Sequence, residues 1–505
     1  MIKINSPEYE KLIAPLYRFS RSFWIAVIAL VGISAPGIVL YIRQLILGLG
    51  VTSLNRPAFW GIYLVNFIFL IGVSMAGTVI SAVLHLLHIE WRRPITRIAE
   101  VLTVFGLMVA GLQIIIDMGR PDRILYTFFY GRLQAPLLGD IVSLTLYLLT
   151  AMLALYLQLL PDIALLRDTV PPTAPAWRKK FYTMLALKWR GNKEQWKRLE
   201  KTMTFISFII IPIGISLHTV TSWLFSTTIQ PGWKSTILGP YFIIGAIFSG
   251  MGLLFVAVTI TRYYKKLNEY ITEKFYDNLG WIFIVMSGAW FYFTLNEVLV
   301  ITTEQETMEF PVIASKLWGE FAPAFWGMVG LMLAATWIMV APKFLTEKVR
   351  RMPVFKPRLA WASAGTVAVL FVLAIMLPRA PFLAQLNTSS SATIIWAIII
   401  VQLLILGLGI TPWLKAHKIV SSVIAGIFVL VGMWLERWNI LMPTVTHPRL
   451  MPYSTYVPTI TEVTITISMF GIMALMFVLF FQFFPPISIW EVAEGRAIED
   501  AQSEK

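Results

Sequence analysis

The sequence contains no cysteine among its 505 residues. This absence excludes disulfide bonds, thiolate-held iron–sulfur clusters, haem thiolate ligation and cysteine nucleophiles from the chain itself. Charged residues are scarce as well, at 13% of the chain. Any redox centre that the protein works with therefore has to be supplied by a partner subunit.

Histidine is also rare, and the five histidines do not form the pair on facing helices that holds haem b in membrane cytochromes. His85 and His88 stand at one end of an apolar run, His218 lies toward the opposite side, and His417 and His447 fall between runs. No HExxH sequence, Walker loop or ordered Ser-His-Asp set is present. We therefore predict no haem, iron–sulfur cluster or metal site in this chain, and no catalysis by the chain alone.

Hydrophobic residues, by contrast, make up 57% of the chain, and the mean hydropathy is +0.74. Apolar runs of about 20 residues, long enough for a helix to cross about 30 Å of hydrocarbon, recur along the sequence. They predict an all-α, polytopic transmembrane helical bundle with about twelve spans. The predicted spans are 22–48, 59–84, 98–118, 136–160, 202–226, 238–262, 279–302, 322–342, 359–377, 392–410, 419–437 and 462–484.

The 41 lysines and arginines exceed the 27 acidic residues and give a formal net charge of +14. Of these 41, 31 lie in the termini and alternate loops that share the N-terminal side of the predicted spans. The positive-inside rule therefore predicts that both termini are cytoplasmic, and this placement explains the charge better than nucleic-acid binding does. The basic cytoplasmic loop 161–201 is predicted to lie on anionic lipid as an amphipathic helix, with a partner-docking arm as the alternative.

Charged residues are concentrated where the third predicted span ends and the fourth begins. They are Asp117, Arg120, Asp122, Arg123, Arg132 and Asp140. At a rise of about 1.5 Å per residue, Asp117, His218 and Glu297 all reach the outer third of the bilayer. A charge at that depth is costly unless it is paired, hydrated or functional. These residues therefore form a candidate site toward the outer side.

Each of these residues also has a structural interpretation. Asp140 can cap the fourth helix, and Asp117 can pair with Arg120 or Arg123. His218 can be a packed histidine that is bonded to a neighbouring hydroxyl. Glu297, with apolar neighbours on both sides, has the weakest structural explanation.

Several long stretches are distinctive enough to compare with a known family. They include IEWRRPITRIAEVLTVFGLMVAGL at 89–112, SLHTVTSWLFSTTIQPGW within 216–250 and GMWLERW at 432–438. Together with 48–84, 158–168, 185–191, 456–462 and 483–492, they resemble the NrfD/PsrC family of quinone-reactive membrane subunits. The resemblance is closest to the ActC and ActF subunits of alternative complex III.

This resemblance implies a ten-helix core at about 20–342 and 419–492, with an inserted helical hairpin at about 359–410. It also implies a quinol pocket toward the outer side, with menaquinone or ubiquinone as the cofactor. The implied partners, besides membrane lipid, are an iron–sulfur subunit, a multihaem cytochrome c and a second NrfD-like subunit.

Residue by residue, Asp140 matches the family's acidic residue near the quinol, His218 its S-[IVL]-H-[ST] histidine, and Glu297 a glutamate of its seventh helix. The resemblance and the depth argument together assign quinone binding to Asp140, His218, Asp117 and Arg120. They assign proton transfer to Glu297, Glu100, Thr219, Ser74 and Thr78, although membrane hydroxyls often only join helices. The sequence departs from ActC-type chains at Met75 and Asp117, where those chains carry histidine.

The predicted function is that of a quinone-binding membrane-anchor subunit of a respiratory oxidoreductase. Such a subunit passes electrons between the quinone pool and an iron–sulfur or haem partner, and coupling to proton translocation is left open. One alternative is a secondary transporter, suggested by the span number and by the Phe-Trp-Gly sequence at both 59–61 and 325–327. Another is a membrane scaffold without a quinone site of its own.

Overall fold

The computed structural model describes residues 12–132, 134–172, 174–344 and 389–495. Within these ranges every regular element is a helix, and ten helices are long and apolar enough to cross a membrane. They are α1 (Arg21–Leu47), α2 (Ile62–Leu86), α3 (Thr96–Asp117), α4 (Pro136–Asp168), α5 (Lys193–Ser226), α6 (Leu238–Tyr264), α7 (Glu273–Glu304), α8 (Ala322–Phe344), α9 (Lys418–Thr446) and α10 (Ile460–Phe483). The prediction of an all-α, polytopic bundle is confirmed.

These ten helices coincide with ten of the twelve predicted spans. Of the other two, the predicted span at 359–377 lies outside the described residues, and the one at 392–410 falls inside a helix, Ser389–Ala416. The inserted hairpin and the domain boundaries drawn around it therefore stay predictions.

The ten helices form two groups of four consecutive helices and a flanking pair. In the first group α2 packs on α3, α3 on α4, and α4 on α5; in the second, α6 and α8 pack on α9, and α7 packs on α6 and α8. Helix α2 is the centre of the molecule, because it is buried along most of its length and contacts α6 and α9 of the second group. Helices α1 and α10 pack along each other at the side. The two Phe-Trp-Gly sequences lie at α2, the first helix of the first group, and at α8, the third helix of the second group. They do not occupy equivalent positions in the two groups.

Three helices begin at side-chain caps whose residue types are typical of helix N-termini. The Ser20 hydroxyl accepts from the Phe23 amide at 3.1 Å before α1, and the Asn192 side chain accepts from the Gln195 amide at 2.8 Å before α5. Thr459 and Glu462 form a capping box at the start of α10. These caps satisfy backbone donors that have no partner inside the helix.

The basic stretch 161–201 is largely helical, because α4 runs on to Asp168, a short helix covers Ala176–Leu185, and α5 begins at Lys193. The short helix is anchored by Arg178, which is 1% exposed and donates to the carbonyl of Leu16 at 2.8 Å. Its Tyr182 hydroxyl donates to the carbonyl of Phe483 at 2.9 Å. This segment therefore packs on the chain's own terminal segments, and contact with lipid stays a prediction.

The segment 484–495 is held beneath α3 and α4 by a buried ion pair. Arg97 Nη1 lies 2.7 Å from Asp162 Oδ2, and these two side chains are 0% and 2% exposed. Arg97 also donates to the carbonyls of Pro485 and Ile487, and Asp162 accepts from the amide of Ile489 at 3.0 Å. We call the end of the bundle that contains this ion pair and residues 87–95 the basic face.

Candidate functional site

Asp140 lies inside α4 and not at its end. The helix begins at Pro136, with Ala135 as the N-cap residue, so Asp140 stands in the second turn, beyond the capping position. A proline at the first helical position sets this start, because its missing N–H costs nothing there. Asp140 is 1% exposed, and Thr221 Oγ1 of α5 lies 2.5 Å from its Oδ1. The interpretation of Asp140 as a helix cap is therefore wrong.

His218 lies on the same buried face of α5 as Thr221, three residues before it. It is 1% exposed, and among the described residues its Nε2 has no hydrogen-bond partner. The proposed bond to a neighbouring hydroxyl is thus not formed by this nitrogen. The charge of the Arg437 guanidinium, on α9, acts on the imidazole.

A buried acid–base pair on α9 was missed by the sequence analysis. Glu436 Oε2 and Arg437 Nη1 are 2.9 Å apart, and the two side chains are 1% and 2% exposed. The indole N–H of Trp290 donates to Glu436 at 2.9 Å, and the guanidinium lies 4.9 Å from the ring centre of Phe242. The signal was available, since two charges stand in GMWLERW. The predicted span ends at 437, which places both charges at the end of a helix. In the structure, α9 continues to Thr446, so both charges lie inside the helix.

Asp117 and Arg120 do not join Asp140. Arg120 pairs with Asp122 at 3.1 Å, and both side chains are more than half exposed. Asp117 ends α3, and its buried Oδ1 has no hydrogen-bond partner among the described residues. The charge of Glu462, on α10, acts on this carboxyl group. The ion pair between Asp117 and Arg120 or Arg123 is therefore not formed, and these residues lie apart from the Asp140 contact.

Three of the five predicted proton-transfer residues do lie close together, between α2, α3 and α4. Ser81 Oγ donates to Glu100 Oε1 at 2.5 Å, and the Thr78 hydroxyl is hydrogen-bonded to that of Tyr147. Ser74 contributes its backbone carbonyl, which accepts from Thr103 at 2.7 Å. Val79–Val83 form a π-helical turn within α2, a local distortion of the kind often found at functional sites.

Two cavities that share lining residues extend from this cluster to the basic face. A small cavity of about 30 Å³ is lined by Thr78, Ser81 and Glu100, and it shares His85 and Arg92 with a second cavity of about 390 Å³. The larger cavity lies among charged side chains of the basic face. The cluster around Glu100 is therefore within reach of groups that open toward the water on this side.

The other two predicted proton-transfer residues stand elsewhere. The Thr219 hydroxyl donates to the Ile215 carbonyl of its own helix at 2.9 Å. Glu297 lies 3.2 Å from Lys316, and the side chains are 14% and 6% exposed. Glu297 thus has the structural partner that the sequence did not reveal, because Lys316 comes from a short helix that follows α7, Phe310–Leu317.

Met75, one of the two positions where the sequence departs from ActC-type chains, lies beside Tyr147, with its Sδ 3.8 Å from the phenol oxygen.

Comparison with known families decides what kind of protein carries this arrangement. The model of the family described as polysulphide reductase, NrfD, matches residues 50–355, which is more than half of the chain. The chain belongs to the NrfD family. The match covers α2 to α8 and hence Asp140, His218, Thr221 and Glu100. The predicted family is confirmed.

Two relatives show the range of complexes in which similar chains occur. A protein of Halobacterium salinarum named as a membrane subunit of dimethyl sulfoxide reductase is 30% identical over 235 residues, or 46% of this chain and 50% of that protein. A selenate reductase subunit of Mesobacillus selenatarsenatis is 24% identical over 317 residues, or 61% of this chain and 71% of that protein. The chain thus matches half the length of the first relative. The finer assignment to alternative complex III stays a prediction.

We expect this NrfD-family chain, purified alone, to show no haem absorbance and no iron–sulfur electron paramagnetic resonance signal. It has no thiolate, and its five histidines are not predicted to form the pair on facing helices that holds haem b. The described residues also contain no group of three or more histidines or carboxylates that could hold a metal ion. Absorbance and resonance spectra of the isolated protein test this. A b-type Soret band at one haem per chain would contradict it.

Proposed function

We propose that the chain binds quinol at α4 and α5 and anchors the electron-transfer subunits of a respiratory oxidoreductase in the membrane. Quinol gives up two electrons and two protons when it becomes quinone. The chain has no cysteine and so no thiolate to hold an iron–sulfur cluster. The electrons therefore pass to an iron–sulfur or haem partner, and this chain supplies the groups that accept protons.

The observation that carries this proposal is the buried contact between Asp140 and Thr221, together with His218 on the same helix as Thr221, whose Nε2 has no hydrogen-bond partner among the described residues. A proton acceptor must lie within hydrogen-bond reach of the proton that it takes, and carboxylate and imidazole are the usual groups. Among the described residues, no lysine, arginine or histidine forms an ion pair with Asp140, so its carboxylate is free to take one proton. His218 Nε2 is the candidate acceptor for the second.

The partners and the direction of electron flow follow from the relatives as proposals. Both relatives are named as subunits of reductases, so we propose that electrons leave the quinol pool through this chain. An iron–sulfur subunit is the proposed partner, with a multihaem cytochrome c or a second NrfD-like subunit in the same complex. A prokaryotic cytoplasmic membrane is the proposed location, with menaquinone or ubiquinone as the quinone.

We propose further that the cluster around Glu100 takes up protons from the basic face. Glu100 is 7% exposed and holds the Ser81 hydroxyl, and the adjoining cavities extend to the charged residues of that face. A carboxyl between these cavities and the hydroxyls of Thr78 and Tyr147 is suited to transfer protons inward. This role supports coupling of quinol oxidation to proton translocation.

Replacing Glu100 by glutamine is expected to abolish proton uptake from the basic face while leaving quinol binding intact. The amide keeps the contact with Ser81 but cannot carry a proton. In proteoliposomes of the whole complex, the number of protons moved per electron should fall, while turnover in detergent stays near wild type. Glu194→Gln, at a largely exposed pair with Arg198, is the matched control. An unchanged proton-to-electron ratio in Glu100→Gln would remove Glu100 from the route.

A transporter or a scaffold would behave differently in a simple experiment. Purification of the complex through a tag on this chain should bring down redox-active partners and bound quinone. A chain that purifies alone with an uptake activity would favour the transporter, and an assembled complex without quinone would favour the scaffold.

A further inference from the structure

The hydroxyl of Thr221 faces two acceptors at once. Its Oγ1 lies 2.5 Å from Asp140 Oδ1 and 2.9 Å from the carbonyl oxygen of Leu217 in the preceding turn of α5. A threonine hydroxyl carries a single hydrogen but has two lone pairs that accept. It therefore cannot donate fully to both oxygens, and the protonation state of Asp140 decides whether the hydroxyl donates to the carboxylate or to the Leu217 carbonyl.

Two arrangements satisfy these distances. With Asp140 ionised, Thr221 donates to Oδ1, and a length of about 2.5–2.7 Å is normal for a hydroxyl bonded to a carboxylate. With Asp140 protonated on Oδ1, the acid donates to Thr221 Oγ1, and Thr221 donates to the Leu217 carbonyl. Asp140 keeps one hydrogen bond in both states, and no heavy atom has to move.

Burial makes this exchange matter. Thr221 is 0% exposed and Asp140 is 1% exposed, so water cannot replace a lost bond easily. A buried polar group without a partner is costly, and more so when it is charged. Among the described residues no cation pairs with Asp140. Of the titratable side chains on the helices packed against α4, His218 lies one turn before Thr221 on the same face of α5, whereas Asp117, at the end of α3, makes no described contact with Asp140.

We propose that Thr221 is a positioning residue that reverses its hydrogen bond as Asp140 takes up and releases a quinol proton. This rests on the proposed function. As quinol becomes quinone, two electrons go to the redox centre of the partner protein, and two O–H bonds of the quinol break. One of the two protons forms the O–H bond on Asp140, the other forms the N–H bond on His218 Nε2, and Thr221 then turns its own hydrogen to Leu217. The carboxyl is thereby held in one position through the cycle.

The test compares Thr221→Val, which removes the hydroxyl at similar volume, with Thr221→Ser, which keeps it, in the assembled complex. The ionised carboxylate loses a charge-assisted bond in the valine variant. We therefore expect turnover at neutral pH to fall about tenfold and the acid limb of the pH–turnover profile to move up by about one to two pH units. Serine should restore both. Ser222→Ala is the matched control, because that buried hydroxyl donates only to the Thr219 carbonyl of its own helix.

A spectroscopic signature separates positioning from a general loss of stability. In redox-induced infrared difference spectra, the carboxylic-acid band that disappears in Asp140→Asn should shift in Thr221→Val and return to its place in Thr221→Ser. Thr221→Ala removes the same hydroxyl and serves if the valine variant does not assemble. A variant without the hydroxyl that keeps the wild-type pH profile and an unshifted band would overturn the inference about Thr221. If Asp140→Asn is inactive in the same series, the proposed function still holds. Normal turnover in Asp140→Asn would instead refute the proposed function.

Discussion

Replacing Asp140 by asparagine is expected to lower quinol-dependent turnover by about 10²-fold or more, the usual effect of losing a general base. Asparagine has nearly the same size, and its side-chain oxygen can still accept from Thr221. What it loses is the capacity to take a proton. Because Asp140 lies in the second turn of α4 and does not cap it, the substitution leaves the start of the helix untouched, and assembly should stay near wild type.

The measurement is steady-state oxidation of a soluble quinol analogue by the purified complex, together with its polypeptide stoichiometry and melting temperature. Asp122→Asn is the matched control: this residue lies in the loop before α4 and pairs with Arg120 on the surface, and the change should leave turnover unaltered. Full activity in an assembled Asp140→Asn complex would exclude Asp140 as the proton acceptor.

A second large effect is expected at the buried pair that holds the C-terminal segment. Asp162→Asn should lower the free energy of unfolding by about 3 kcal/mol or more, since removal of one partner leaves the other charge buried and uncompensated. Arg97, which is 0% exposed, would then have only carbonyl oxygens and a neutral amide as hydrogen-bond partners among the described residues. The bond from the Ile489 amide would weaken as well. We expect segment 484–495 to become accessible to protease.

Thermal unfolding in detergent and limited proteolysis of the same samples measure this effect. Asp168→Asn is the control, because that residue lies at the end of the same helix and pairs with Arg167 while its side chain is 63% exposed. Exposed pairs contribute about 1 kcal/mol at most. If the Asp162→Asn and Asp168→Asn proteins melt alike, the ion pair does not hold the C-terminal segment.

The fold was largely predictable, because a membrane-spanning helix is a local property of the sequence. About 20 apolar residues suffice to specify one, and ten of the predicted spans coincide with helices. Helix ends were predictable only where a cap marks them. Helix α5 begins at Lys193, after the Asn192 cap, nine residues before the apolar run, since a charged helical turn has no hydropathy signal.

The site was predictable in its residues but not in their pairing. Asp140 and His218 stand out as polar groups in apolar surroundings, and both are buried. Their surroundings depend on which helices are neighbours, so Thr221, 81 residues from Asp140, could not be identified. For the same reason, Lys316 could not be identified from the sequence as the ion-pair partner of Glu297. Asp117 shared a predicted depth with Asp140, yet depth alone does not say which side of the bundle a residue faces.

The most direct test of the proposed quinol site is photolabelling of the assembled complex with an azidoquinone, followed by mass spectrometry of the labelled peptides. We expect label on peptides of α4 and α5 near Asp140 and Thr221. Excess quinol should displace it, and Asp140→Asn should weaken it. Label that excess quinol displaces only from other helices, with none on α4 or α5, would contradict the proposed site.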